Sequence, residues 1–235
     1  MISAAHPLWE KILELERRCN QESPSIYPQP FDKNEAYQTA CAQAVTIDGF
    51  WAEFGVHRGR SITHLASATQ NVVYGFDSFE GLPENWEGHN LKKGDFSLNG
   101  QIPAGSIIGD SLWHYDSSPT PIVSPWLPNI RFVKGWFNDT LPAFITRPDI
   151  KNNPAAFLHI DCDLYSSTQT IFKYLGDKIV AGTVLAFDEL YGYAGWQQHE
   201  AFAFAEFLEE TGRKYEPIYR VSGPGMTQAC VRIVE

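Results

Sequence analysis

The 235-residue sequence has few cysteines, little positive charge and no long hydrophobic run. Its four cysteines form no C-x-x-C pair, so neither a zinc knuckle nor a dithiol redox motif is indicated. Its 18 Lys and Arg against 28 Asp and Glu give a formal charge of -10, which argues against nucleic-acid partners because phosphate binding depends on clustered basic side chains. No apolar run reaches the roughly 20 residues of a membrane span. Met1 to Glu10 lack the pattern of a secretory signal. We expect a cytoplasmic protein that acts on a small molecule, with no membrane contact, and we leave a homo-oligomer open.

Short apolar runs alternate with helical periodicities along most of the chain. Strands are predicted at Phe50–Glu53, Val72–Asp77, Ile130–Gly135, Ala155–Asp163 and Gly182–Glu189, followed by a hairpin of Lys214–Val221 and Thr227–Val234. This pattern predicts an α/β, Rossmann-like fold with a mostly parallel seven-stranded sheet, helices on both faces and a C-terminal antiparallel hairpin. Residues 1–48, with helices near 7–19 and 34–46, are predicted to form a helical cap on one domain at 49–235.

A segment at about 84–128 interrupts this alternation. It is rich in Gly, Pro, Asn and Ser, and it separates two predicted strands by far more residues than an ordinary crossover needs. Its aromatic residues argue against disorder, because disordered segments are poor in such residues. They are Trp86, Phe96, Trp113, Tyr115 and Trp126. We interpret the segment as part crossover and part lid facing the substrate.

The stretch from Glu53 to Ser61 indicates a ligand-binding turn between the first strand and a helix. Gly55 and Gly59 would allow close approach of the backbone, and the amides of the following helix would favour an anionic group. The spacing departs from the dinucleotide pattern G-x-G-x-x-G, which disfavours a nicotinamide dehydrogenase, and a purely structural turn is the alternative. Asp77 ends the second strand, where doubly wound folds hold ribose hydroxyls. An adenosine-containing ligand is therefore indicated.

Carboxylates end several of the predicted strands, and the carboxyl ends of parallel strands share one edge of a sheet. They are Glu53, Asp77, Asp161, Asp163, Asp188 and Glu189. Crowded carboxylates raise one another's pKa or bind a cation, and oxygen ligands suit Mg²⁺ or Ca²⁺. We predict that Asp161, Asp188 and Glu189 are metal ligands, with Asp163 as a fourth candidate. The alternative for each acid is a helix N-cap or a solvated loop position. We interpret His159, inside an apolar run, as a core residue.

Five motifs in order resemble the macrocin O-methyltransferase (TylF-like) family of class I S-adenosylmethionine-dependent enzymes. They span residues 53–61, 75–83, 134–142, 159–168 and 187–192. The resemblance implies that the cofactor lies against Glu53, Phe54, Gly55, Gly59, Ser61, Asp77, Ser78, Gly135, Trp136 and Asp161. It also implies Mg²⁺ ligation by Asp161, Asp188 and Glu189, although this chain has Glu189 where the family commonly has Asp.

The resemblance implies an S-adenosylmethionine-dependent, Mg²⁺-dependent O-methyltransferase that acts on a sugar hydroxyl of a natural product. In this interpretation Asp161 or Asp163 removes the proton of the hydroxyl. Two alternatives are a nicotinamide dehydrogenase on the same architecture and a non-catalytic cofactor-binding module. Acceptor identity is expected to depend on the N-terminal helices and on the predicted lid.

Overall fold

The computed structural model describes residues 3–25, 33–104, 112–114, 122–123, 127–223 and 226–235. Its strands are β1 (Phe50–Phe54), β2 (Val73–Asp77), β3 (Ile102–Ala104), β4 (Leu112–His114), β5 (Ile122–Val123), β6 (Ile130–Lys134), β7 (Ala155–Ile160), β8 (Val184–Tyr191), β9 (Tyr215–Gly223) and β10 (Met226–Ile233). Its helices are α1 (Trp9–Glu22), α2 (Lys33–Gln43), α3 (Arg60–Ser67), α4 (Phe137–Phe144), α5 (Tyr165–Leu175) and α6 (Glu200–Thr211).

The main sheet has the order β5-β6-β2-β1-β7-β8-β10-β9. The strands from β6 to β8 pair in parallel, and β10 pairs antiparallel with both β8 and β9. This confirms the predicted parallel sheet with its C-terminal hairpin, and the two-residue β5 adds an antiparallel eighth strand at the far edge. The order reverses between β1 and β7, so the carboxyl ends of these two strands flank a crevice where ligands bind in such sheets.

Side chains of the buried strands alternate between two apolar layers. In β1, Phe50, Ala52 and Phe54 pack with α1, α4, α5 and α6 on one face of the sheet, whereas Trp51 packs with α2 and α3 on the other. The alternation follows from the two-residue period of a strand. Helices therefore cover both faces, as predicted. The charged residue of β1, Glu53, lies on the same face as Trp51, beneath α3.

The two N-terminal helices lie on opposite faces of the sheet. The apolar stripe of α1 packs in the same layer as α6, and the guanidinium of Arg18 lies 4.4 Å from the ring centre of Tyr215. On the other face, Tyr37 of α2 donates a 3.0 Å hydrogen bond to the carbonyl oxygen of Phe187 in β8. The predicted boundary at residue 48 stays a prediction. Among the residues named above as described, no helix combines the length and apolar character needed to cross a membrane.

The described part of the predicted lid folds back on the end of β2. The amides of Leu98 and Gly100 donate to the carbonyl oxygen of Phe79, and the amide of Leu82 donates to Asp95. β3 and β4 then form a separate antiparallel pair. Of the tryptophans that indicated an ordered lid, Trp86 is buried and Trp126 lies outside the described residues. The lid prediction for 105–111, 115–121 and 124–126 also lies outside them.

Candidate active site

The glycine turn after β1 is in direct backbone contact with the end of β7. Gly55 and Gly59 have φ angles of 94° and 76°, in the left-handed region that favours glycine. A Cβ atom on Gly55 would overlap the carbonyl oxygen of Asp161 and lie 2.7 Å from its carbonyl carbon. The amide of Asp161 in turn donates a 2.9 Å hydrogen bond to the carbonyl oxygen of Phe54. The glycine turn and the first acid of the predicted metal site are therefore in backbone contact.

Asp77 holds the same turn from the other side. Its Oδ2 accepts the backbone amides of Val56 at 2.9 Å and His57 at 2.8 Å, and its Oδ1 accepts the amide of Phe79 at 2.6 Å. Burial raises the pKa of Asp77, and these backbone amides oppose the increase. The side chain also lines the cavity described below, so its predicted contact with ribose hydroxyls is compatible with its role in shaping the turn.

Glu53 belongs to a buried polar pair that the sequence did not reveal. Register places it opposite His159 of β7, and His159 Nδ1 lies 3.3 Å from Glu53 Oε1. Ser61 of α3 donates a second hydrogen bond to the same oxygen. Burial raises the pKa of Glu53, and His159 and Ser61 oppose the increase. The prediction that His159 is a core residue agrees with its complete burial, and its partner is a predicted cofactor residue.

Asp161, Asp163 and Glu189 converge at the ends of β7 and β8. One oxygen from each lies within 4.8 Å of the others. Burial raises the pKa of Asp161 and Glu189 well above the ordinary values, and the charge of Asp188 is the next-largest cause of the increase in both. Burial, followed by the charges of Asp188 and Asp77, raises the pKa of Asp163 to about 7. Such a set of oxygen donors either keeps protons or binds a hard cation.

Asp188 neighbours this cluster without belonging to the three converging residues. Its Oδ1 accepts a hydrogen bond from the amide nitrogen of Gln228 in β10. Adjacent residues of β8 point to opposite faces of the sheet, so Asp188 and Glu189 approach the cluster from different sides. Asp163 has a φ angle of 65°, which is uncommon for a residue other than glycine and concentrates at functional sites. The metal-ligand role of Asp188 stays a prediction.

A cavity of 580 Å³ joins the glycine turn to the acidic cluster. This volume is within the range of small-molecule sites in proteins. Predicted site residues in its wall are Gly55, Ser61, Asp77, Ser78, Trp136, Asp161, Asp163 and Glu189. Among the described residues, five other predicted site residues do not line the cavity: Glu53, Phe54, Gly59, Gly135 and Asp188. Wall residues that sequence reasoning missed include Gln38, Arg58, Arg60, His64, Leu91, Phe96, Asn138, Ser166 and Met226.

One residue of the cavity wall, Trp86, belongs to an aromatic group. The ring of Trp86 meets the rings of His89 and Tyr193 at centroid distances of 4.1 and 5.8 Å, and His199 stacks on Tyr193 at 6.2 Å. His199 Nε2 lies 2.8 Å from the carbonyl oxygen of Glu87, which ties the predicted lid to the connection between β8 and α6. In the sequence, the feature that could have indicated this part of the wall was Trp86, an aromatic residue in the predicted lid.

Glu200, the first residue of α6, lies beneath the acidic cluster. It is fully buried. Burial raises the pKa of Glu200 well above its ordinary value, and the charges of Asp163 and Asp188 raise it further, whereas the facing backbone amides of Cys162 and Glu189 lower it.

The sheet reverses its strand order between β1 and β7, and a glycine turn and an acidic edge share one cavity at that point. Together these features define a Rossmann-like fold of the methyltransferase type. The model of the family described as Macrocin-O-methyltransferase (TylF) matches residues 33–223, and the chain belongs to this family. The resemblance of the five sequence motifs is thereby confirmed.

Two curated relatives are named O-methyltransferases. The 8-demethyl-8-(2,3-dimethoxy-alpha-L-rhamnosyl)-tetracenomycin-C 4'-O-methyltransferase of Streptomyces olivaceus is 27% identical over 163 residues, 63% of this chain and 57% of that protein. The demethyldecarbamoylnovobiocin O-methyltransferase of Streptomyces niveus is 27% identical over 153 residues, 61% of this chain and 53% of that protein. The matched part of the chain thus spans only a little over half the length of these relatives.

Solved structures share the fold. The calicheamicin methyltransferase CalS11 matches with a TM-score of 0.61 and 18% identity, covering 98% of this chain and 94% of that one. The O-methyltransferase NovP matches with a TM-score of 0.54 and 20% identity, covering 86% and 80%. An O-methyltransferase from Bacillus cereus in complex with SAH matches with a TM-score of 0.52 and 15% identity, covering 100% and 94%.

Proposed function

We propose that this protein transfers a methyl group from S-adenosylmethionine to a hydroxyl of a sugar in a glycosylated natural product. The observation that carries the proposal is the backbone contact between Gly55 and Asp161, which joins a cofactor turn to an acidic cluster in one cavity. Membership of the macrocin-O-methyltransferase family supports methyl transfer to oxygen. The names of both curated relatives, one with a rhamnosyl acceptor and one with a novobiocin precursor, support a glycosylated acceptor.

The residues around the glycine turn fit an adenosyl cofactor. Ser61 lies in the first turn of α3 at the cavity wall, where amides and the helix dipole favour a carboxylate. Asp77 would offer carboxylate oxygens to ribose hydroxyls. Trp136 and Asn138 line the part of the wall next to β6, where the family resemblance expects the adenine. When bound, the cofactor would supply an electrophilic methyl group on a sulfonium. The turn would position this methyl beside the acidic cluster, and positioning contributes much of the rate of such transfers.

The acidic cluster fits a divalent cation of the Mg²⁺ type. All of its donors are carboxylate oxygens, and the buried Glu189 Oε2 has no hydrogen-bond partner among the described residues. We propose Asp161, Asp188 and Glu189 as the residues that would hold the cation, because Asp188 is the charged neighbour that most raises the pKa of the other two. A bound cation would act as a Lewis acid that lowers the pKa of the acceptor hydroxyl.

Asp163 is the proposed proton acceptor, with Asp161 as the alternative. Asp163 lines the cavity, and its pKa of about 7 is close to neutral pH, where general bases work best. Its left-handed backbone conformation directs it away from the regular path of β7. Leu91 and Trp86 close the adjacent wall and would exclude water from the reacting oxygen.

The experiment that tests this proposal follows methyl transfer from labelled S-adenosylmethionine to a panel of acceptors. The panel contains an aryl rhamnoside, a nucleoside diphosphate deoxysugar and a catechol without sugar. We expect methylation of a sugar hydroxyl that stops with EDTA and returns with excess Mg²⁺. Methylation of the catechol alone would contradict the sugar acceptor, and unchanged turnover in EDTA would contradict the cation.

A further inference from the structure

We propose that the side-chain amide of Gln38 binds a second hydroxyl of the acceptor sugar, one that is not methylated, and so selects sugars that carry this hydroxyl free. The inference rests on the proposed function and names a part of the acceptor that this function leaves open. Gln38 belongs to α2, which precedes the first of the five sequence motifs. The N-terminal helices were expected to influence the choice of acceptor, and Gln38 is a specific residue through which α2 would do so.

The first reason is an unpaired polar group in the wall of the cavity. Gln38 lines the cavity, and only 1% of the residue is exposed to solvent. Its Oε1 atom is buried and has no hydrogen-bond partner among the described residues. An unpaired buried acceptor is costly, and most buried polar groups in native proteins are satisfied. A ligand inside the cavity would supply the missing partner.

The second reason is the chemistry that this side chain accepts. The Oε1 atom needs a hydrogen-bond donor, and neither a carboxylate nor an ether oxygen can provide one. A hydroxyl donates one hydrogen bond and accepts others, so it can pair with Oε1 or with Nε2 in either orientation of the amide. Sugars carry several hydroxyls, and methyl transfer uses one of them. A second hydroxyl is therefore a fitting partner for Gln38.

The third reason is the place from which Gln38 enters the cavity. The preceding residue, Tyr37, is fully buried and donates a 3.0 Å hydrogen bond to the carbonyl oxygen of Phe187 in β8. Phe187 directly precedes Asp188 and Glu189, two of the proposed cation ligands. The helix that carries Gln38 is thus fixed to the acidic edge of the sheet, where the proposed function holds the acceptor.

A buried amide in this position would make the protein selective. A site built to hydrogen-bond a substrate hydroxyl rejects the analogue that lacks it, because the polar group of the site is then left unpaired. An apolar wall discriminates such analogues only weakly. Gln38 would therefore exclude sugars that are deoxygenated at the recognised position.

The test combines one change in the protein with one change in the acceptor. The variant is Gln38→Met, which keeps the length of the side chain and removes the amide, and the matched control is Gln43→Met, at an exposed glutamine of the same helix. The acceptors are a sugar that the wild type methylates and its monodeoxy analogues, each lacking one of the other hydroxyls. Turnover gives kcat/KM, and calorimetry gives the affinity for S-adenosylhomocysteine.

We expect the wild type and Gln43→Met to lose kcat/KM about 100-fold or more with one of the deoxy analogues. Gln38→Met should lose a similar factor with the complete sugar and should no longer distinguish it from that analogue. The affinity for S-adenosylhomocysteine and the melting temperature should equal those of Gln43→Met.

The inference is overturned if Gln38→Met discriminates the deoxy analogues as the wild type does. It is also overturned if this variant loses S-adenosylhomocysteine affinity while the KM of the acceptor stays unchanged, because Gln38 would then bind the ammonium group of the cofactor. Should Gln38→Met fail to fold, Gln38→Asn, which draws the amide back by one methylene, decides by the same comparison.

Failure of the proposed function has a different outcome. A wild-type protein that methylates no sugar refutes the proposed function, and the inference with it. A wild-type protein that methylates the complete sugar and every deoxy analogue equally well refutes the inference alone.

Discussion

Gly55 and Asp161 touch through their backbones, so the cofactor turn and the acidic cluster are fixed against each other. There is no room for a side chain at Gly55, whose Cβ would overlap the carbonyl oxygen of Asp161. Since Asp161 follows β7 and Gly55 follows β1, the contact closes the switch point of the sheet. In the proposed function, two neighbouring strands of the core would therefore set the distance from a bound sulfonium to a bound acceptor.

Gly55→Ala is expected to abolish cofactor binding and to lower stability by more than the roughly 1–3 kcal/mol of a left-handed strain alone. The matched control is Gly212→Ala, since Gly212 also has a positive φ angle, 69°, but has open space at the Cβ position. Melting temperature and S-adenosylhomocysteine affinity measure both effects. Equal behaviour of the two variants would mean that the contact with Asp161 is unimportant.

Asp77→Ala is expected to weaken S-adenosylhomocysteine binding at least about tenfold. The substitution removes the proposed ribose partner together with three backbone hydrogen bonds, each of about 1.5–3 kcal/mol with a charged acceptor. Amide hydrogen exchange at Val56 and His57 should accelerate in the variant. The control is Asp149→Ala, which removes a carboxylate that bonds Arg147 and Tyr74 away from the cavity. Protection at Val56 that survives Asp77→Ala would refute the role of Asp77 in the turn.

Substitution of single acids should separate the proton acceptor from the cation ligands. Asp163→Asn is expected to reduce kcat about 100-fold or more, the contribution typical of a general base, while Mn²⁺ affinity stays within a few-fold. Asp161→Asn and Asp188→Asn should lose Mn²⁺ affinity and turnover together. If Asp163→Asn loses Mn²⁺ as completely as Asp161→Asn does, Asp163 is a ligand, in keeping with its oxygen lying within 4.8 Å of the oxygens of Asp161 and Glu189.

The pKa of Asp163, about 7, also predicts the pH dependence of the protein. Unfolded aspartate has a pKa near 4, so between about pH 4 and pH 7 the folded protein binds more protons at this site than the unfolded chain does. Without a cation, this group therefore makes stability fall as the pH rises through that window. At limiting Mg²⁺, where the cation-free protein predominates, the rate, which needs the carboxylate, should rise through about pH 7.

Two measurements check this prediction. The increase in melting temperature caused by Mg²⁺ should be larger near pH 8 than near pH 6, because the cation binds the deprotonated cluster. In the Asp163→Asn variant the residual rate should no longer rise near pH 7, whereas the rest of its pH dependence should stay unchanged. A wild-type rate that is flat from about pH 6 to pH 8 would contradict the assignment of Asp163 as the base.

The sequence predicted the parts of the fold that depend on local pattern. The strands β1 (Phe50–Phe54) and β8, which has eight residues, are buried on both faces of the sheet. Strands buried in this way appear in a sequence as nearly continuous apolar segments. Carboxylates after such runs necessarily reach the same sheet edge, so the meeting of Asp77, Asp161, Asp163 and Glu189 around one cavity followed from topology. The five motifs then gave the family.

The features that could not be predicted from the sequence depend on the register between strands and on where helices pack against the sheet. The pairing of Glu53 with His159 requires the alignment of two strands that are about a hundred residues apart, and no local pattern encodes it. Glu200 begins a helix whose amphipathic stripe indicates burial but does not show that its first turn returns to the ends of β7 and β8. Phe96 and Leu91 lie in an irregular segment without periodicity, so their place in the cavity wall could not be inferred.

The most direct measurement of the central claim is a crystal structure of the protein with S-adenosylhomocysteine and Mn²⁺, with the metal located by anomalous scattering. We expect one anomalous peak bounded by Asp161, Asp188 and Glu189, with the homocysteine sulfur facing it across the cavity and the carboxylate end beside Ser61. S-adenosylhomocysteine bound at the glycine turn with no anomalous peak at the ends of β7 and β8, or with the peak elsewhere, would contradict the account.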